Sequence, residues 1–347
     1  TKSYSGTYFL RYILLTISPV NAHSWVFSGC AMFWSLEKFA EDAEMAMYPL
    51  RDLFHDAPEL DLDWACTRDM YNFLEQIPDL QQVVQENIGQ IVQVARLKWN
   101  HAVDQDQNPL SLVIGNTHLF YHPLADHVRL LQSFVIWKML DRWCTDVSSS
   151  STNNNNNKSR RHPLILCGDL NSDPASGAVQ LLLHRKVTPN QCETWKNLDT
   201  YTWEGGDSYF ESEYLNYEND PVKATDAGRD DEKEDPMQPK PCDDPVAWSV
   251  QPPIIQLPDT FPQLVSAYNP MPEFSNYVVG FTETLDYIFL SESDSQCPNL
   301  KVLKSAPVPT IAEMQKYPAI PNEDYPSDHV SLACDLELDC PGEHASK

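Results

Sequence analysis

The sequence predicts an α/β fold. Short apolar runs of strand length recur along the chain, amphipathic helical spacing separates them, and no internal repeat is present. With 347 residues and 42% hydrophobic content the chain can bury a large core. Its 21% charged residues, 27 Pro and 11 Gly exclude a collagen-like or wholly disordered polymer.

In chain order, residues 1–27 are apolar but weakly patterned and stay unassigned. Cys30 to Trp34 reads as a buried strand, and Met45 to Asp69, rich in acidic and aromatic residues, as helix. Asn87 to Trp99 alternates with period two, the polar stretch Asp104 to Asn108 follows as a turn, and Leu110 to Asn116 forms the second arm of a hairpin. Val128, Leu131, Gln132, Val135 and Leu140 have helical spacing, ending near Trp143. Residues 148–161, with five consecutive Asn, are a low-complexity insert. Pro163 to Gly168 is a short buried strand and Ser176 to Leu183 a helix. Residues 204–246 carry 14 acidic and 4 basic residues, the composition of a solvated loop. Thr284 to Leu290 and Val330 to Leu338 are the last strands.

A net charge of −26 argues against nonspecific polyanion binding over the whole surface, so any nucleic-acid site is local. A small acidic pocket escapes this restriction, because a divalent cation held there binds phosphate itself. Nine cysteines without a CxxC pair read as reduced thiols of an intracellular protein, cytoplasmic or mitochondrial. No run approaches the roughly 18 apolar residues of a membrane span. Tyr12 to Ile17 is short for a signal h-region and is soon broken by Pro19 and Asn21, so no signal peptide is expected.

Four segments share one design, an apolar strand with polar residues at its end: Ile114 to Leu119, Leu164 to Ser172, Thr284 to Leu290 and Pro326 to Leu332. Singly, an Asp after a strand is usually a turn or cap residue, and a lone His a hydrogen-bonded structural one. Together the segments supply carboxylates (Asp169, Asp286, Asp328), imidazoles (His118, His329) and an amide (Asn171). That inventory suits phosphoryl transfer, which needs a hard cation, a base for water and donors for phosphate charge.

In this order, Asn116-Thr-His-Leu119, Gly168-Asp-Leu-Asn171, Leu285-Asp-Tyr-Ile288 and Ser327-Asp-His329 resemble successive signatures of the endonuclease/exonuclease/phosphatase superfamily. His118 to Pro123 with Arg129, Cys167 to Ser172 with Pro174 and Gly177, and Asn276 to Phe281 look like its deadenylase branch, with the last stretch most like the 2',5'-phosphodiesterases. The resemblance implies a four-layer, DNase I-like α/β sandwich over residues 28–338, interrupted by the two inserts and followed by a tail, 339–347. It implies His329 as general base or proton shuttle oriented by Asp286, Asp169 positioning the attacking water near the metal, and Asn171 and His118 on phosphate oxygens. Asp169 and Asp328 would hold Mg2+, or Mn2+ in its place. Asn276, His122, Arg129 and Phe281 would contact substrate, Phe281 by stacking on a base or else as a core residue.

The implied activity is hydrolysis of 2',5'-oligoadenylate or poly(A) by in-line water attack. A strictly 3',5' deadenylase and a noncatalytic scaffold are the alternatives. A monomer is expected, with RNA or oligoadenylate as substrate, protein partners at the inserts, and neither DNA-specific nor membrane binding. One departure stands out. The family carries a Gln-Glu pair, whose Glu is the principal magnesium ligand, before the strand that Ser28 to Phe33 continues, and here residues 1–27 contain no acidic residue. Gln85-Glu86 falls in the wrong place in that order and reads as surface. The expectation is therefore a domain incomplete at its N-terminal side, weak or inactive by itself.

Overall fold

The computed structural model describes residues 30–55, 65–103, 109–145, 161–201, 248–292 and 298–339. Residues 1–27, the insert 204–246, the first insert apart from Arg161, and the tail beyond Asp339 lie outside them.

Six strands form the central sheet: β1 (Glu44–Pro49), β2 (Ile91–Val103), β3 (Pro109–His118), β4 (Leu164–Asp169), β7 (Leu264–Ser266) and β10 (Asp286–Ser291). Their spatial order is β1-β2-β3-β4-β10-β7. Every pair is antiparallel except β3 with β4. That parallel pair requires a crossover, which α3 (Asp126–Cys144) provides. α3 is buried on most of its faces, as expected of a helix covered by the sheet and by α4 (Gly177–His184). On this side a first core joins Val92, Val94 and Val113 of the sheet to α1 (Ala65–Leu74), α2 (Pro78–Gln82), α3 and α4. On the opposite face Leu97, Leu112, Ile114, Ile165, Ile288 and Leu290 pack against a two-stranded sheet of β11 (Asn299–Ser305) and β12 (Cys334–Asp339). Among the described residues the layers thus run helices, six-stranded sheet, second sheet: an α/β sandwich as expected, with three of its four layers.

Short elements complete the fold. β5 (Lys186–Val187) pairs with β6 (Ile255–Gln256), and β8 (Asn276–Val278) with β9 (Phe281–Glu283). α5 (Cys192–Trp195) and α6 (Ile311–Met314) are single turns, the latter closed by a capping box between Thr310 and Glu313. Among the described residues no helix is long and apolar enough to cross a membrane.

Several local expectations are corrected. Cys30 to Trp34 forms no strand; Phe33 is largely exposed, and the segment is held through its carbonyls by the Gln93 and Asn116 side chains. Met45 to Asp69 is not one helix. It begins as the edge strand β1, where Ala46 and Tyr48 face the first core while Met45 and Met47 stay exposed on the other face. Period two is present there, obscured by methionines that nothing covers. Gln85-Glu86 lies in a π-helical turn, not at the start of a strand, and Glu86 is exposed. Arg161, assigned to the first insert, is buried, ion-paired to Asp141 and bridged to Thr145.

Gly168 is where the parallel pair allows no side chain: a Cβ there would meet the Thr117 carbonyl oxygen at 2.0 Å. Gly168→Ala is expected to cost about 3 kcal/mol of unfolding free energy through forced separation of β3 and β4, read from the shift of the urea midpoint.

Candidate functional site

Strand alternation builds the site. Along β3, Leu110, Leu112, Ile114 and Asn116 point to the second core, and His118 continues that series. Ile165 and Cys167 on β4 lead likewise to Asp169, and Leu290 and Ile288 on β10 lead back to Asp286. In register His118 lies beside Asp169, and Asp169 beside Asp286. Three apolar strands thus end in one row of polar side chains on one face of the sheet.

His329 arrives from outside the sheet. Its backbone bridges to Asn276, the Val330 N–H donates to the Ser275 carbonyl (2.7 Å), and the Tyr277 N–H donates to the Asp328 carbonyl (3.1 Å). His329 Nδ1 donates to Asp286 Oδ2 at 2.6 Å, which leaves Nε2 facing Asp169 Oδ2 at 3.8 Å. The same Asp169 oxygen lies 3.3 Å from His118 Nε2. Asp169 Oδ1 accepts the Asn171 N–H at 2.8 Å. Asn171 itself sits at φ 47°, a left-handed turn that an Asn tolerates better than most residues, and its amide donates to the Leu119 carbonyl at 2.9 Å.

The electrostatics follow from burial. Asp169 is 2% exposed, and desolvation, reinforced by the Asp286 charge, raises its pKa to about 7 against the pull of His329 and the Asn171 N–H. For His329, burial alone acts downward, but the hydrogen bond and charge of Asp286, with Asp169 and Asp328, lift the imidazole to about 9. His118 moves the other way, lowered by burial and by the neighbouring His329. At neutral pH one imidazole is therefore charged and the other neutral, both beside one carboxylate.

Asp169, Asp286 and His329 each offer a metal-ligating atom, all within 4.8 Å of one another. Asp286 Oδ2 is already engaged by His329 and by Ser275 Oγ at 2.7 Å. Asp169 stands beside it as a carboxylate donor for a hard divalent cation, which would keep most of its water. Asp328 is not in this group of ligand atoms; its charge acts on both imidazoles, and its carbonyl accepts from the Asn276 amide.

The expected substrate contacts separate into two kinds. Phe281 is 45% exposed on β9, which removes the core reading and leaves a ring open to a ligand. Asn276 is buried, with Oδ1 lacking a hydrogen-bond partner among the described residues. His122 is tied into the protein: its Nδ1 accepts the Leu124 N–H, and its ring stacks with Phe120 and meets Tyr201 edge-on. Arg129 is buried, donating to Ser172 Oγ, to the Phe120 and His122 carbonyls and to Asp126, so it clamps the loops after β3 and β4 together. Ser275, Ser172 and Tyr287, whose hydroxyl donates to the Ser172 carbonyl, escape sequence reasoning, since nothing distinguishes them from ordinary buried polar residues.

Known proteins resemble this chain in sequence and in fold. A family model described as Endonuclease/Exonuclease/phosphatase family matches residues 149–329, just over half of the chain. The 2',5'-phosphodiesterase 12 of Bos taurus is 24% identical over 310 residues, 89% of this chain and 37% of that protein. The CCR4-Not complex 3'-5'-exoribonuclease subunit Ccr4 of Aspergillus niger is 25% identical over 241 residues, 65% of this chain and 28% of that protein. The chain thus spans well under half the length of these relatives. Among solved structures, ANGEL2, a 2',3'-cyclic phosphatase, in complex with adenosine-2',3'-vanadate, superposes with a TM-score of 0.51 at 16% identity, covering 95% of this chain and 75% of that one, a likeness of fold.

Two outcomes are expected from the site's physics. Both raised pKa values mean that the folded state holds protons more tightly than the unfolded one. In metal-free protein the Asp169 contribution is full below about pH 4 and lost as pH rises through about 7, and that of His329 is full below about 6.5 and lost through about 9. The part of the stability curve that these two groups carry therefore falls from pH 4 to 9, and the melting temperature of wild type minus that of Asp169→Asn should decline between about pH 4 and 7. Arg129→Met, which breaks a buried ion pair, is expected to lower stability by about 3 kcal/mol in urea titration, a loss that removing a mere surface ligand contact does not produce.

Proposed function

Because the chain belongs to the endonuclease/exonuclease/phosphatase family, with its relatives in the deadenylase branch, we propose that the protein carrying it hydrolyses phosphodiester bonds in adenylate-rich RNA or 2',5'-oligoadenylate. The observation that carries this reading is the hydrogen-bonded pair Asp286–His329 aimed at the buried Asp169. Paired titratable groups whose surroundings set one as a proton donor and the other as an acceptor near neutral pH make an acid–base site.

His329 enters as an imidazolium held by Asp286 and presents a positive Nε2–H to a phosphoryl oxygen. Asp169 accepts a hydrogen bond from the attacking water and takes up its proton. Neutral His118 donates from Nε2 to a second phosphate oxygen, and the half-exposed Phe281 stacks on a base. A divalent cation at Asp169 would supply charge neutralisation for the phosphate and the leaving oxygen. Asn171 enters through its backbone N–H on Asp169, and its side chain is engaged with Leu119. The P–O ester bond breaks as the water oxygen bonds to phosphorus, the departing oxygen takes a proton from solvent, Asp169 returns its proton to solvent, and one shorter oligonucleotide and one nucleotide remain.

Incubation with Mg2+ and oligoadenylates of either linkage is expected to give stepwise shortening, slowed about 1000-fold by Asp169→Asn or His329→Gln. The ratio of rates on the two linkages assigns the preference. Binding without shortening in the full-length protein would instead support the scaffold reading.

A further inference from the structure

We infer that Ser275 is a positioning residue that holds the Asp286 carboxylate, and through it His329, in the one orientation the site uses. This deepens the phosphodiesterase reading and rests on it for its functional consequence, while its geometric content stands apart.

Ser275 is fully buried. Its hydroxyl oxygen accepts two backbone N–H groups, from Leu285 at 2.8 Å and from Asp286 at 2.9 Å. A serine hydroxyl has two acceptor positions and one hydrogen. With both acceptor positions filled, the hydrogen has a single direction left, and it points at Asp286 Oδ2, 2.7 Å away. The terminal torsion of an Asp is otherwise broad and nearly two-fold, so either oxygen can face a partner. Ser275 removes that freedom by marking Oδ2. The other acceptor position of Oδ2 takes His329 Nδ1–H at 2.6 Å. This fixes which imidazole nitrogen is turned inward and leaves Nε2 towards Asp169.

The backbone of Ser275 serves the same end. Its N–H donates to the Glu283 carbonyl at 2.9 Å, and its carbonyl accepts the Val330 N–H at 2.7 Å. One residue therefore joins the stretch that leads into Asp286 to the stretch that carries His329.

The test uses the full-length protein labelled with 15N at histidine. His329→Gln identifies the His329 Nδ1–H resonance in metal-free wild type. In Ser275→Ala that low-field proton is expected to move upfield or broaden, and kcat to fall about 10- to 100-fold with KM changed by less than about threefold. Ser275→Thr, which keeps the hydroxyl, should restore both. An unchanged Nδ1–H resonance in Ser275→Ala, or a loss expressed in KM alone, would overturn the inference. Should Ser275→Ala not fold, Ser275→Cys, close in volume but a weak donor, replaces it: a shifted resonance with lowered kcat supports the positioning role, and an unchanged resonance overturns it. If wild type hydrolyses no oligoadenylate, the phosphodiesterase reading fails, whereas the resonance comparison still decides the role of Ser275.

Discussion

The register across β3, β4 and β10 is the constraint on which the site depends. His118, Asp169 and Asp286 sit side by side because three strands pair without slippage. A slip of one residue in any of them would turn its functional side chain to the helical face and its apolar partners to the wrong core. The hydrophobic alternation that fills both cores therefore also aims the chemistry. Stability and geometry are specified by the same pattern, which is why the polar row lies at the end of completely buried strands and not on a loop.

Concentrating charge at that row has a cost that the neighbourhood offsets unequally. Asp169 has a backbone N–H and two imidazoles around it, and among the described residues no Lys or Arg pairs with it, so its carboxylate is left poised instead of fully stabilised. Arg129, a buried cation at the adjoining loops, is spent on carbonyls, a hydroxyl and Asp126. Cys30 also feels Asp169, yet burial and that charge push its thiol up to about 11, so it stays neutral and does not compete as an anionic ligand. The arrangement favours an external cation over an internal one.

Much of this is legible in the sequence. The strands β3, β4 and β10 and the crossover α3 announce themselves by periodicity, and the polar residues at strand ends stand out by their joint order. The illegible parts have physical reasons. β1 hides because its outward residues are methionines, apolar yet uncovered. Cys30 to Trp34 is apolar without being paired. Arg129 follows a substrate-like motif, but a buried guanidinium looks the same in one dimension as an exposed one. Ser275 carries no signal at all, since a serine beside an Asp in space is eleven residues from it in the chain.

Thr145 and Arg161 bridge across the base of the asparagine-rich insert, and Arg161 is clamped to Asp141. This gate stands at the N-terminal end of β4, whereas Asp169 closes its far end, about 20 Å away at strand rise. The residues between Thr145 and Arg161 therefore join the described fold at the end of β4 opposite to its polar tip. The bridge fixes where the chain enters the sheet, so the register that brings Asp169 beside His118 is set from Arg161 onward.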